Sequence, residues 1–262
     1  MSATDLQSDL TLALSLADIA DPATMATYRS ADLVVESKPD LTPVTQADKA
    51  AEELLRRHLQ DRRPEDAILG EEFGTSGLSS RQWILDPIDG TANYVRGVPV
   101  WATLIALTID GEPSVGVVSA PALGRRWWAA TGLGAWTMGP EYPRPQRIRV
   151  SAVSELADAS FSFSDSRNWA KRGANLAALD GSTWRTRAYG DFWSHMLVAE
   201  GSVDVAAEPE LAPWDIAALV PIVTEAGGML TAYDGTSALA GGCALTSNGI
   251  LHNEVISVLN AE

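Results

Sequence analysis

Between Trp101 and Ser119 the chain sets two apolar, β-rich runs, Trp101 to Ile109 and Ser114 to Ser119, around Asp110-Gly111. An Asp-Gly pair between such runs predicts a tight antiparallel hairpin, because both turn residues tolerate positive φ. Arg126 to Ala130 and Gly134 to Thr137 read as further strands of the same meander. Residues 139 to 146 hold three prolines and a glycine and read as a loop. This meander commits the first half of the chain to an antiparallel sheet that needs helices to cover it.

Two stripes supply them. Leu6, Leu10, Ala13, Ala17 and Ala20 recur at helical spacing up to Pro22, which is expected to limit that helix; Ala47, Ala51, Leu54, Leu55 and Leu59 form a second. Ala67 to Gly70 is short and apolar and leads into Glu71-Glu72; the Gly- and Ser-rich stretch after it reads as a loop into a buried strand ending at Trp83-Ile84-Leu85. Beyond Ile148 strand and helix alternate: strands at Ser160 to Ser164, Thr183 to Arg187 and Val203 to Ala207, and helices at Asn175 to Leu179, Asp191 to Glu200 and Trp214 to Ala226. Pro221 inside the last predicts a kink or a late start. The fold class is therefore α+β, with residues 1–147 and 148–262 as two halves of one compact unit.

With 262 residues there is ample volume for a core. The formal charge of -15 disfavours nucleic acid and anionic membrane as partners and suits a protein that attracts cations. One cysteine, Cys243, rules out an intrachain disulfide. The start lacks a basic segment followed by an apolar one, and no apolar run reaches membrane length. The expectation is a soluble cytoplasmic protein. His58, His195 and His252 are too scattered to suggest a zinc site.

The chemistry gathers where the Trp83 strand ends. Asp86, Pro87, Asp89, Gly90 and Thr91 crowd one turn, with Glu71 and Glu72 and, far downstream, Asp215 also placed after apolar stretches. Carboxylates so placed repel one another unless a hard divalent ion sits between them. Taken singly, Asp89, Thr91 and Asp215 also suit helix caps, and Asp48 fits a capping pattern with Thr45.

"GEEFG", "WILDPIDGTANYVRGVP" and "PWDIAALVPIVTEAGG" together resemble the inositol monophosphatase family of Mg2+-dependent, lithium-sensitive phosphomonoesterases, and the resemblance covers nearly the whole chain. It implies a layered α-β-α-β-α sandwich of the inositol monophosphatase and fructose-1,6-bisphosphatase type. It also implies a site of two to three Mg2+ ions, with Mn2+ as an alternative. Glu71, Asp86 and the carbonyl of Ile88 would hold the first ion. Asp86, Asp89 and Asp215 would hold the second, with a looser third near Glu71. Thr91, helped by Asp48, would orient and deprotonate the attacking water, and the amides of Gly90 and Thr91 would take phosphate oxygens. One ion would activate water and another would neutralise the leaving oxygen in an in-line displacement. Lys38 would face the metals, Glu72 would stand behind them, and the protein would be a homodimer joined through the 98–136 meander.

The same resemblance places Arg187, Gly190, Asp191 and Glu208 against the alcohol part of a small phosphorylated metabolite. Asp191 and Glu208 together suit a substrate with positive charge, though Asp191 also fits an N-cap and Glu208 a surface acid. "KPDLTPVTQAD", "RGVPVWATLIAL", "SVGVVSAPALGRRWWAA" and "RAYGDFWSHMLVAEG" are similar to the actinobacterial histidinol-phosphate phosphatases of that superfamily, which implies L-histidinol phosphate as substrate. An inositol-1-phosphate or broad sugar phosphatase is the alternative. A regulator that only binds metal or phosphate is disfavoured, since every group needed for turnover is present. Of the neighbours Trp127 and Trp128, at most one can face a pocket, because adjacent strand residues point to opposite faces.

Overall fold

Asp110 and Gly111 both take positive φ, 53° and 86°, and close the hairpin that the sequence predicts. The computed structural model describes residues 3–37 and 43–261, so Lys38 lies outside the described residues. The first half contains α1 (Ala3–Met25), β1 (Val35–Ser37), β2 (Pro43–Thr45), α2 (Gln46–Arg62), β3 (Ala67–Gly70), β4 (Gly74–Ser76) and β5 (Arg81–Asp89). There follow α3 (Thr91–Arg96), β6 (Ala102–Ile109), β7 (Glu112–Ala120), β8 (Arg125–Ala130), β9 (Gly134–Gly139) and β10 (Tyr142–Arg147). Eight of these strands form one sheet in the order β10-β9-β8-β7-β6-β5-β3-β4, in which β3 and β5 run parallel and the other pairs antiparallel.

The second half contains β11 (Ser160–Ser162), α4 (Trp169–Arg172), α5 (Leu176–Ser182), β12 (Arg185–Arg187), α6 (Asp191–Ala199) and β13 (Val205–Glu208). It ends with α7 (Pro213–Ile216), α8 (Leu219–Glu225), β14 (Met229–Thr231), α9 (Ala238–Gly241), β15 (Ala244–Ser247) and α10 (His252–Leu259). Its sheet has the order β12-β11-β13-β15-β14.

The cores stack these elements into five layers. Leu10, Leu16 and Ala20 of α1 and Leu55 and Leu59 of α2 pack on Trp83, Leu107, Val117 and Trp128, one face of the large sheet. The other face, with Leu104, Val118 and Trp127, meets Phe192 and Met196 of α6 and Leu219, Ile222 and Val223 of α8. Val198 of α6 reaches Ala206 of the small sheet. Beyond it, Phe161, Val205 and Leu245 are covered by Leu179 of α5 and by Val255 and Leu259 of α10. The order is α-β-α-β-α, as the sequence implied, and both Trp127 and Trp128 serve cores on opposite faces.

Three local expectations need correction. α1 does not stop at Pro22 but runs to Met25. Pro22 and Asp18, whose carbonyl loses its partner, are both on the solvent side, where the carbonyl is open to water. The 139–146 segment is largely strand: β10 is an exposed edge whose pairing with β9 skips from Tyr142 to Gln146, so Pro143 and Pro145 owe no ladder bonds. Gly74 to Ser76, read as loop, pairs antiparallel with β3. The stretch from Trp214 to Ala226 is two helices, α7 and α8, parted ahead of Pro221, which is the kink expected there. Its carbonyls come so close to β7 that a Cβ on Gly116 would stand 2.1 Å from the oxygen of Ala218.

Candidate active site

β5 carries its carboxylates past the end of its regular pairing. Its register with β6 shifts between Asp86 and Asp89, so the chain bulges there and turns both side chains toward one end of the sheet. Asp86 Oδ1 accepts the amide of Ile88 at 2.9 Å, and the carbonyl of Pro87 is held by Thr103 Oγ1 at 2.8 Å, which fixes the turn from both sides. Gly90 follows at φ 80°, where a Cβ would stand 3.0 Å from the Val100 carbonyl and 3.2 Å from Asp191 Oδ2. Glycine is required by both the angle and the space.

Asp86, Asp89 and Asp215 each bring a carboxylate oxygen to within 4.8 Å of the other two. Asp215 arrives from α7, where its Oδ2 accepts the amide of Ala212 at 2.7 Å. It therefore caps that helix and joins the cluster at once. Glu71, at the end of β3, hydrogen-bonds Asp86 through its side chain. Burial, and then the charge of Glu71, push Asp86 well above the usual carboxylate range. Burial and the charge of Asp191 do the same to Asp89, and burial raises Asp215 to about 7. A set of oxygen donors that resists ionising until a cation arrives fits a hard divalent ion.

Thr91 opens α3 beside this cluster. Its Oγ1 lies 3.0 Å from the Ile88 carbonyl and 3.3 Å from Asp48 Oδ1. Asp48 is fully buried, and its Oδ2 accepts both the amide and the hydroxyl of Thr45, at 2.8 and 2.6 Å. The capping role and the contact with Thr91 are thus both present, one on each oxygen. Burial raises the pKa of Asp48 against the lowering effect of its Thr45 bonds.

The second half supplies the adjoining wall. Asp191, at the start of α6, sits at φ 48°, which aims the amide of Phe192 at Asp89 Oδ2 (3.0 Å). Asp191 Oδ2 accepts Asn93 Nδ2 at 2.7 Å, and its amide donates to Ser164 Oγ at 2.7 Å. That hydroxyl in turn donates to Glu208 Oε1 at 2.6 Å. Burial raises Asp191 to about 6 and Glu208 to about 8. Gly190 is buried behind this turn, its amide on Ser194 Oγ at 3.0 Å. Arg187 is exposed at the end of β12, with its guanidinium on the Thr186 carbonyl at 2.6 Å. Glu72 is half-buried, and its amide donates to Glu52. Sequence reasoning missed Ser164 and Asn93, which join Asp191 to the rest; no local pattern marks either.

The sequence profile of the inositol monophosphatase family matches residues 5–262. A protein named histidinol-phosphatase from Streptomyces coelicolor is 56% identical over 262 residues, covering 98% of both chains. One of the same name from Mycobacterium tuberculosis is 57% identical over 256 residues, covering 97% of this chain and 98% of that one. Among solved structures, an inositol monophosphatase from Anabaena superposes with a TM-score of 0.81 at 30% identity, covering 97% of this chain and 96% of that one. Sequence and fold agree over nearly every residue, and the chain belongs to the inositol monophosphatase family.

Proposed function

We propose that the chain is a Mg2+-dependent phosphomonoesterase that hydrolyses L-histidinol phosphate to L-histidinol and phosphate. Glu71, Asp86, Asp89, Asp215 and the carbonyl of Ile88 would hold two to three Mg2+ ions, with Mn2+ able to take their place. When bound, such ions supply the Lewis-acid charge for in-line displacement of the phosphoryl group by water. Thr91 would relay the proton of that water, its oxygen taking the water's hydrogen as its own hydroxyl hydrogen passes to Asp48 Oδ1. Its own hydroxyl hydrogen is directed to the Ile88 carbonyl and Asp48 Oδ1, which leaves its oxygen as the acceptor. Asp48 Oδ2 is saturated by Thr45, so Oδ1 alone faces Thr91 and steadies it. The amides of Gly90 and Thr91 would bind phosphate oxygens.

The observation that carries the substrate is the pair Asp191 and Glu208, joined through Ser164 and next to the metal carboxylates. Among the described residues neither has a basic side chain in an ion pair. Two buried acids with no cation of their own suit a substrate that brings an ammonium and an imidazole, and they gain little from a ring of hydroxyls. The relatives named histidinol-phosphatase support the same reading. A cytoplasmic homodimer, with residues 1–147 and 148–262 acting as one unit, belongs to this proposal. The union of the two halves, though not the dimer or the compartment, is supported by Asp89 of the first half accepting the Phe192 amide of the second.

The test is phosphate release from histidinol phosphate, inositol-1-phosphate, fructose-1,6-bisphosphate and p-nitrophenyl phosphate in Mg2+, with EDTA controls. The expected result is metal-dependent release with kcat/KM highest for histidinol phosphate, and a Glu208→Ala variant that loses this preference. Comparable rates on inositol-1-phosphate, or equal losses on both substrates in the variant, would overturn the substrate. No release in Mg2+ would overturn the enzyme.

A further inference from the structure

α2 buries two stripes of side chains. Ala47, Ala51, Leu55 and Leu59 are spaced by four and pack toward α1 and β5. Asp48, Glu52 and Arg56 are also spaced by four and are 0, 0 and 9% exposed. They form a polar stripe beside the apolar one. The apolar stripe accounts for the helix's place in the fold. The polar one does not stabilise for free, since a buried ion pair often gains nothing over apolar residues of the same volume.

The contacts of Glu52 and Arg56 converge on one short segment. Glu52 Oε2 accepts the amide of Glu72 at 2.7 Å, and Oε1 accepts the amide of Phe73 at 3.2 Å and Arg56 Nε at 2.7 Å. Arg56 continues along the strand with Nη1 on Ser76 Oγ at 3.0 Å and Nη2 on the Gly74 carbonyl. The carboxylate fills the space a side chain at position 70 would occupy: a Cβ on Gly70 would stand 2.0 Å from Glu52 Oε1. Glu71 lies between these fixed points, its amide on the Leu85 carbonyl at 3.2 Å and the next two amides on Glu52.

We propose that Glu52 and Arg56 are positioning residues for the Glu71 carboxylate, fixing the 72–76 backbone so that Glu71 stands against Asp86. Four residues earlier on the same helix face, Asp48 fixes Thr91. One polar face of α2 thereby sets the distance between the carboxylates that would hold the first metal, Glu71 and Asp86, and the Thr91 hydroxyl that would relay the water's proton. This rests on the metal-dependent reading above. Glu52→Gln keeps the shape but puts a side-chain donor against the donors of Glu72, Phe73 or Arg56. Arg56→Lys keeps the charge and loses the fork that reaches Gly74 and Ser76.

The experiment is Mn2+ titration followed by electron paramagnetic resonance on wild type, Glu52→Gln and Arg56→Lys, with Asp86→Asn as control, beside kcat, KM and melting temperature. The expected result is Mn2+ affinity weakened about 10–100-fold in Glu52→Gln and less in Arg56→Lys, the range for residues that orient a metal ligand. The kcat should recover as Mn2+ is raised. Folded variants that melt earlier yet bind Mn2+ as wild type does would overturn the proposal and leave the metal site standing. If Glu52→Gln fails to fold, Arg56→Lys decides by the same criterion. Wild type that binds no Mn2+ overturns the metal reading and this proposal with it.

Discussion

Replacing Asp215 by Asn should make the metal-free protein more stable and the metal-bound protein less so. The cluster holds three carboxylates with oxygens within 4.8 Å of one another, and Asp215 rises from 3.8 to about 7. A carboxyl that binds its proton more tightly when folded stabilises the fold at low pH and loses that contribution as pH rises from 3.8 through 7. Roughly 3 pH units at about 1.36 kcal/mol each come to about 4 kcal/mol, and the partial exposure of Asp215 trims this toward about 2 kcal/mol. Asn keeps an oxygen for the Ala212 amide, so the start of α7 is preserved. In urea unfolding with EDTA at pH 8, Asp215→Asn should exceed wild type by about 2–4 kcal/mol, and the difference should vanish near pH 4. Mg2+ at about 1,000 times its Kd adds about 4.1 kcal/mol to wild type and far less to the variant, which reverses the order over most of that range. A variant no more stable than wild type in EDTA at pH 8 would refute the reasoning.

Other perturbations separate chemistry from packing. Thr91→Ala should lower kcat by about 10²–10⁴-fold while leaving the melting temperature nearly unchanged, since it removes a proton acceptor and no buried apolar area; initial rates and a thermal melt check both halves. Gly116→Ala should destabilise by about 1–3 kcal/mol or more, read by urea unfolding, because the new Cβ meets the backbone oxygen of Ala218 and cannot rotate away. His195 is buried on α6 with Nδ1 on Thr246 Oγ1 at 2.8 Å, and burial lowers its pKa from 6.5 to about 4. The unfolded chain then binds the extra proton first. Wild type should lose about 3 kcal/mol relative to His195→Gln as pH falls from 6.5 to 4, measured as the difference between their unfolding curves.

What residue types alone made legible was local, while the family resemblance was what joined Glu71, Asp191, Glu208 and Asp215 to the same site. Asp86, Asp89, Gly90 and Thr91 sit within six residues on one strand-to-helix turn, and the physical demands of that turn can be read from the residue types alone. The Asp110-Gly111 hairpin and the break ahead of Pro221 were legible for the same reason. Edge strands were not. Pro143 and Pro145 argue against a ladder, and only the skip in pairing from Tyr142 to Gln146 shows how they escape it. Pro22 misled because its cost depends on whether the orphaned carbonyl faces water, which periodicity alone left unweighed. Ser164 and Asn93 were illegible because their partners lie 44 residues away at Glu208 and 98 residues away at Asp191.

Those long-range contacts decide what the site can discriminate. The acidic cluster is assembled almost wholly from the first half, and among the described residues Asp215 alone joins it from the second. The wall formed by Asp191, Ser164 and Glu208 belongs to the second half and touches the first at Asn93 and, through Phe192, at Asp89. Under the proposed function, a change at Glu208 therefore alters which alcohol is accepted without disturbing a proposed metal ligand. A change at Asp191 cannot be so clean, because its backbone at φ 48° also delivers the amide that Asp89 accepts. Substitution of Glu208 is thus the cleaner probe of substrate choice, and Asp191→Ala the one whose effects on substrate and metal must be read apart.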